Sequence, residues 1–553
     1  MPFSPPDAVP VMPAAGWRSP YLAWAVMLGL LVLRWGLIKA SPLLPVELQQ
    51  AHLAWSWNQG RLPYRDVMDL YPPLLGWWQR LVIGWVGPQA WVMTGLREAA
   101  LGWYGLSLYA LWSIGRRLYG AGTGLAAMLL VGLYPPLFAA MGQAGIDGMW
   151  CGLSLGALAL MVSAGPEGNR HRVWLAGVLA GLALCLCLQM AWLLSLVAVA
   201  AVAVALRRLG ERTLPSMRRL GWMLFGLLLA PGICLSWVLR HGDWPAMAAW
   251  LWDEALSEDG LASGWRLVGC MMLALAGMAG LCWRWRSIDD DGRAVWRLML
   301  ALCSWLGLTM VLLAWPWYGR PDFMPLVAVS GLLIFGEMAR WTVWRGLRGP
   351  LACGLLLLSE LACIGWALPP GRDALRSHRE MLAAVLRYSA PGDRVMDASG
   401  AAVFRQRPYY PLLDSPQAWQ AGRRAWSDAV ANELVRHATH LVMRQSLPPL
   451  SDSFVARNYL PLQGQLYVAG RVLAAAPAGA ERPLRLELPG DYTLTDGVKA
   501  IPAAMDGEPA ATHWHLEAGM HYLQLPGDEP LLLLDSRAWG AGWRPGPVAS
   551  GRW

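Results

Sequence analysis

The chain has 553 residues, of which 56% are hydrophobic and 15% charged, and its net charge is +8. A soluble globular protein carries about 25% charged residues, so this composition excludes that class and predicts a chain largely in lipid. No basic run resembles a nucleic-acid footprint. The arginines sit in short loops between apolar stretches, which is the pattern of cytoplasmic loops.

A helix that spans a bilayer needs about 20 mostly apolar residues. The predicted spans are 20–38, 92–114, 121–139, 147–163, 173–188, 190–206, 220–239, 265–283, 295–315, 322–340 and 349–367. That is about eleven by this length criterion. Tyr21–Ile38 is long enough to be a retained helix and not a cleaved signal. The segment 173–206 reads as two short helices broken near Gln189, or as one long helix with an interfacial piece.

Residues 39–91 separate the first two spans. PPLLGWWQRLVIGWVG is short, has Arg80 in its middle and is rich in tryptophan, so 73–91 is predicted to lie along the membrane surface. Arg116–Arg117, Arg170–Arg172, Arg207–Arg219, Arg284–Arg297 and Arg340–Arg348 fall in alternate loops. The positive-inside rule makes those loops cytoplasmic. The N-terminus is then inside, and everything after residue 368 is outside.

Long apolar runs stop at Pro369–Pro370–Gly371. An amphipathic helix is predicted over 373–388, a strand over Arg394–Ala398 and a helix over 417–436. Strands are predicted at Thr439–Arg444 and Leu466–Leu473. This alternation reads as a small α/β layer. After the Ala/Pro/Gly stretch at 474–480, short strands with Gly, Pro and Asp turns read as a small β-sandwich. The predicted domains are a membrane domain over 1–368, an external α/β module over 369–474 and an external β-sandwich module over 481–553. The first external loop, 39–91, belongs to the membrane domain in this scheme.

Charged groups beside a bilayer are costly unless they face water or a polar cavity, so their gathering marks a site. The stretch Pro45–Trp78 gathers Glu47, Arg61, Arg65, Asp66 and Asp69 between greasy segments. Asp66 and Asp69 could orient an acceptor or hold a divalent metal, or pair with Arg61 or Arg65 across a loop ending at Pro72. Asp147 opens a span, Arg97 lies near the outer end of another, and Arg320 and Asp322 occupy a short outer loop in WPWYGRPDF. His513 and His515 face one side of a strand with His521 nearby, and surface histidines are the expected reading. Every cysteine lies in or beside an apolar run and none follows Cys363, so small buried hydrophobes are expected.

Residues 30–165 resemble the GT-C class of integral-membrane glycosyltransferases, such as the protein O-mannosyltransferases and the aminoarabinose transferases that modify lipid A. The resemblance is carried in order by Glu47, GRLPYRDVMD (60–69), YPPLLGWW (71–78), Arg97, GRRLYG (115–120) and Asp147. Tyr71 stands where the family has a lysine before Pro-Pro, and Gln189 where a second lysine is common. The resemblance implies a bacterial inner-membrane enzyme. It would move a sugar from a polyprenyl-phosphate carrier to a periplasmic lipid, glycan or protein acceptor. Glu47 would be the catalytic base, with Asp66 and Asp147 as further catalytic candidates. Arg65, Asp69, Tyr71, Arg97, Arg320 and Asp322 would bind substrate. No cofactor is certain, and a divalent metal at Asp66 and Asp69 is left open by the residues alone. A lipid or sugar transporter and an inactive GT-C-like scaffold are the rival readings.

Overall fold

The computed structural model describes residues 20–67, 69, 71–164, 169–186, 213–245, 247–248, 272, 292–313, 324–340, 348–410, 423–445, 447–475, 477, 479–525, 527 and 529–546. The predicted spans 190–206 and 265–283, with Gln189, Arg320 and Asp322, lie outside them. The chain divides into two compact units.

The first unit comprises Met1–Ser41, Tyr71–Leu75 and Arg97–Arg372. Its described helices include α1 (Pro20–Gly36), α5 (Ala121–Leu133), α6 (Pro135–Ala140), α7 (Ile146–Ala164) and α8 (Arg170–Leu184). They continue with α9 (Thr213–His241), α10 (Gly292–Leu313), α11 (Met324–Met338) and α12 (Arg348–Ala367), and α4 (Val92–Tyr119) supplies most of its length to this unit. Three described stretches are long and apolar enough to cross a membrane: Ile146–Ala164, Arg218–His241 and Gly349–Ala367. The predicted span 121–139 is not one helix. Pro135 pushes the residue before it out of the α region, and Tyr134 accordingly sits at φ −51°, ψ 116°, between α5 and α6. One apolar core, with Leu30, Tyr104, Leu108, Met128, Phe138 and Leu332 among its members, joins α1, α4–α7 and α10–α12.

The second unit comprises Pro42–Leu70, Gly76–Leu96 and Asp373–Trp553. Two helices come from the loop before α4: α2 (Pro45–Asn58) and α3 (Leu74–Val86). At 13 residues α3 is too short to span, and it leaves Leu81 and Trp85 exposed. The C-terminal part holds α13 (Arg376–Tyr388), β1 (Val395–Met396), α14 (Arg423–Arg436), β2 (Leu441–Met443), α15 (Pro449–Asn458), β3 (Tyr459–Gln463) and β4 (Leu466–Leu473). Then follow β5 (Glu481–Leu486), β6 (Gly490–Thr495), β7 (Ala503–Met505), β8 (Glu508–Ala511), β9 (His513–Leu516), β10 (Gly519–Gln524), β11 (Leu531–Asp535) and the short α16 (Ser536–Gly540).

Strands from both sides of residues 474–480 share one sheet, in the order β1-β2-β4-β11-β6-β9 with β3 also on β4. The long β4 makes this possible: Leu466–Val468 pair with β2, while Gly470–Leu473 pair with β11. A second sheet, β5-β10-β7-β8, packs its apolar side with the first through Leu484, Leu494, Met505, Leu523 and Leu533. Burial of alternate residues from two sheets is how a sandwich core forms.

The first-loop helix α2 is fastened to the C-terminal part of its own unit. Gly400 adopts φ +88°, and a Cβ there would lie 2.7 Å from the Leu48 carbonyl carbon. Trp55 meets Phe404 edge-on at 6.4 Å, and His52 Nδ1 lies 3.0 Å from the Val403 carbonyl oxygen. A carbonyl only accepts, so Nδ1 carries the proton and Nε2 is the bare nitrogen.

Two measurements test this attachment. Gly400→Ala adds left-handed strain and an overlap with α2, so it should cost roughly 2 kcal/mol or more, read as a lowered melting temperature of the full chain. Burial first, and then the charge of Arg407, hold the His52 imidazole well below its ordinary value. Below about pH 6.5 the unfolded chain therefore gains a proton that the folded one refuses. Stability is retained above that pH and is lost as pH falls below it. His52→Asn keeps a donor for Val403 and cannot titrate, so its melting temperature should fall less steeply between pH 7.5 and 5.

Candidate active site

Glu47 stands at the third position of α2 and is fully buried. Its Oε1 accepts a hydrogen bond of 3.2 Å from the Leu44 backbone N–H, so the side chain caps the helix it belongs to. Gln50, one turn on, donates from Nε2 to Asp69 Oδ1 at 3.0 Å, and both are buried. Gln50 Oε1 has no hydrogen-bond partner. Glu47, Gln50, Ala51 and Ala54 recur at helical spacing, so α2 presents a carboxylate and an amide on a face otherwise built of small residues.

Arg61–Val67 form a tight turn after α2. Pro63 and Val67 bridge, and the Tyr64 N–H donates to the Val67 carbonyl at 2.8 Å. Tyr64 takes φ +62° with its ring buried, a conformation that costs an aromatic residue about 1–3 kcal/mol. Asp66 Oδ2 accepts from the Leu62 N–H at 2.8 Å, and its Oδ1 lies 3.4 Å from Arg65 Nε. Asp66 thus holds the turn together while Arg65 reaches into solvent. Arg61 donates to Gln406 Oε1 at 3.3 Å and lies 5.7 Å from the Tyr410 ring centroid. Arg407 and His52 approach the same ring at 5.8 Å and 5.9 Å.

The first unit holds a second polar cluster. Arg34, in the last turn of α1, is fully buried. It donates to Ser41 Oγ at 3.0 Å and to the Ala139 carbonyl at 3.3 Å, and lies 5.3 Å from the Phe138 ring centroid. A Cβ at Gly142 would fall on the guanidinium, so only glycine fits there. Arg97 is also fully buried and donates to the Ile38 and Ser41 carbonyls at 3.2 Å and 2.9 Å. Two arginines thereby grip one turn, residues 38–41. Asp147 is buried in the first turn of α7, where the helix dipole favours a negative charge. Tyr71 is half-buried.

Glu47, Asp66, Asp69 and Arg65 thus share the second unit, and Arg97, Asp147 and Tyr71 the first. Gln50, His52 and the turn-gripping role of Arg34 were not anticipated from the sequence. Glu360 in α12 was also missed: it is buried, and its Oε2 has no hydrogen-bond partner. Among the described residues no three His, Cys, Asp or Glu side chains converge as metal ligands would. His513, His515 and His521 each have a separate partner, in Thr493, Asp491 and Asp506.

No protein-family model matches the sequence, and no curated protein matches it. The fold is similar to the crystal structure of ArnT from Cupriavidus metallidurans bound to undecaprenyl phosphate, with TM-score 0.55 and 15% identity over 82% of this chain and 98% of that one. The apo ArnT structure gives TM-score 0.53 and 14% identity with the same coverage. The Archaeoglobus fulgidus oligosaccharyltransferase tethered with an acceptor peptide is more distant, at TM-score 0.42 and 10% identity over 82% of this chain and 74% of that one. The chain therefore has the fold of the GT-C glycosyltransferases to which it is similar.

Proposed function

We propose that the chain transfers a sugar from a polyprenyl-phosphate carrier to a hydroxyl-bearing acceptor at the outer face of a bacterial inner membrane. The observation that carries this reading is Glu47, a fully buried carboxylate on a first-loop helix, within a fold shared with a protein crystallised with undecaprenyl phosphate. In this reading the N-terminus is cytoplasmic and the second unit is periplasmic.

The donor already contains a good leaving group. The protein has to take the acceptor proton, hold the oxygen in line with the anomeric carbon and stabilise the departing phosphate. Glu47 is the base. Its carboxylate accepts the hydroxyl proton as the oxygen attacks the anomeric carbon, and the bond from that carbon to the phosphate oxygen breaks with inversion. Gln50 and Asp69 position the acceptor by hydrogen bonds, and Asp147 is a further catalytic candidate. Arginine suits the leaving group because its planar fork makes paired, charge-assisted bonds to phosphate. Arg320 takes that role, with Arg65 second and Arg97, Tyr71 and Asp322 as further substrate contacts. No step is routed through a metal.

The transporter reading expects ionisable groups facing one another in mid-span. Glu360 is an intramembrane carboxyl, but among the described residues its Oε2 meets no hydrogen-bond partner, so it does not favour that reading.

Glu47→Gln keeps an oxygen to cap Leu44 and removes the base. Turnover of labelled polyprenyl-phosphate sugar should fall by about 10²–10⁴-fold with the melting temperature unchanged. Undiminished turnover would remove Glu47 from the chemistry. Arg320→Ala should weaken binding of polyprenyl phosphate by about 10- to 100-fold, the worth of a charge-assisted hydrogen bond, measured by displacement of a labelled lipid.

A further inference from the structure

Helices α8 and α9 approach so closely that their backbones touch. A Cβ at Gly177 would lie 3.0 Å from the Leu227 nitrogen, one at Gly181 would lie 3.2 Å from Pro231 Cδ, and one at Gly226 would lie 2.9 Å from the Val178 nitrogen. The contacts advance in the same direction along both helices, so the two run parallel. Spacing of four residues puts Gly177, Gly181 and Cys185 in one row on α8. The same spacing puts Gly226, Ala230 and Cys234 in a facing row on α9. The next layer of this seam after Gly181 and Pro231 is therefore Cys185 against Cys234. The seam brings both side chains to one layer, and both are buried.

Small residues at such a seam explain close packing in lipid without any cysteine. What they do not require is a sulfur from each helix in the same layer. Disulfides form only where the two Cα atoms come within about 7 Å with their Cβ atoms facing. A backbone-to-backbone seam supplies that proximity.

We infer that Cys185 and Cys234 are a disulfide-forming pair, a redox modification site that staples α8 to α9. The oxidant is a lipid-soluble organic disulfide. One protein thiol, as thiolate, attacks the oxidant and releases one thiol from it. The second protein sulfur then attacks the mixed disulfide. The Sγ–Sγ bond forms, both protein thiols lose hydrogen, and the oxidant leaves as two thiols.

The test uses the full chain in lipid vesicles, treated with dithiodipyridine, alkylated and digested without reduction. The expected product is one peptide pair joined through Cys185 and Cys234, two hydrogens lighter than the separate peptides and absent after a reductant. In a variant that retains only these two cysteines, the same pair should form and the melting temperature should rise on oxidation. Cys234→Ala should lose both responses. Cys185 and Cys234 both recovered in alkylated form, or either one joined preferentially to a different cysteine, would overturn the inference. The wild-type digest decides the matter even if a variant does not fold.

Discussion

A guanidinium taken wholly out of water must be met by acceptors, and the turn after α1 supplies them. Arg34 and Arg97 come from different helices and both are fully buried. Between them they engage the Ile38 carbonyl, the Ser41 carbonyl and the Ser41 hydroxyl. An unmet charge in such surroundings would cost several kcal/mol. The turn cannot move without exposing that cost, so its geometry is set by electrostatics as much as by packing. Gly142 follows from the same constraint, because the guanidinium fills the space a side chain would need.

Helix α2 is unusual for its burial. Residues on every side of α2 are covered, yet Glu47, Gln50, His52 and Ser56 are among them. A helix buried all round is normally apolar all round. Here each polar residue is given a different solution. Ser56 donates to the His52 carbonyl one turn back, His52 Nδ1 donates to Val403, and Gln50 donates to Asp69. The face with His52, Leu48 and Trp55 serves attachment, and the face with Glu47 and Gln50 carries the carboxylate and amide of the proposed site. Division of one short helix between these tasks explains why the unit tolerates the strained backbone at Tyr64 immediately after it: the surrounding contacts over-determine the turn.

What the sequence made legible follows from which signals are local. Ionisable residues beside apolar runs stand out by type alone, and Glu47, Arg97 and Asp147 are candidates of that kind. Gln50 and His52 are neutral polar residues in a short helix, and their partners lie 19 and 351 positions away, so no local pattern marks them. The break at Pro135 was hidden by the apolar residues around it, although proline is itself the signal. The Ala/Pro/Gly stretch at 474–480 reads as a boundary, but β4 pairs across it with β11, and strand pairing at long range leaves no trace in composition. β3, which holds Pro461, was not anticipated, and among the described residues it pairs only with β4, an edge position where proline is tolerated. Glu360 was missed because a hydropathy average over a span absorbs one carboxyl.

In the proposed mechanism the capping bond of Glu47 bears on catalysis as well as on folding. A glutamate has several rotatable bonds, and a base that must first be ordered loses part of its advantage to entropy. The Leu44 N–H holds one carboxylate oxygen through a bond that exists whether or not substrate is present. The side chain is therefore fixed before any acceptor arrives, which is the preorganisation that positioned catalytic groups need. Aspartate at the same position would be too short to cap Leu44 and reach an acceptor hydroxyl from the same backbone. Glutamine would cap and fail to take the proton. Of the three, only glutamate would meet the helix terminus and the proposed chemistry together.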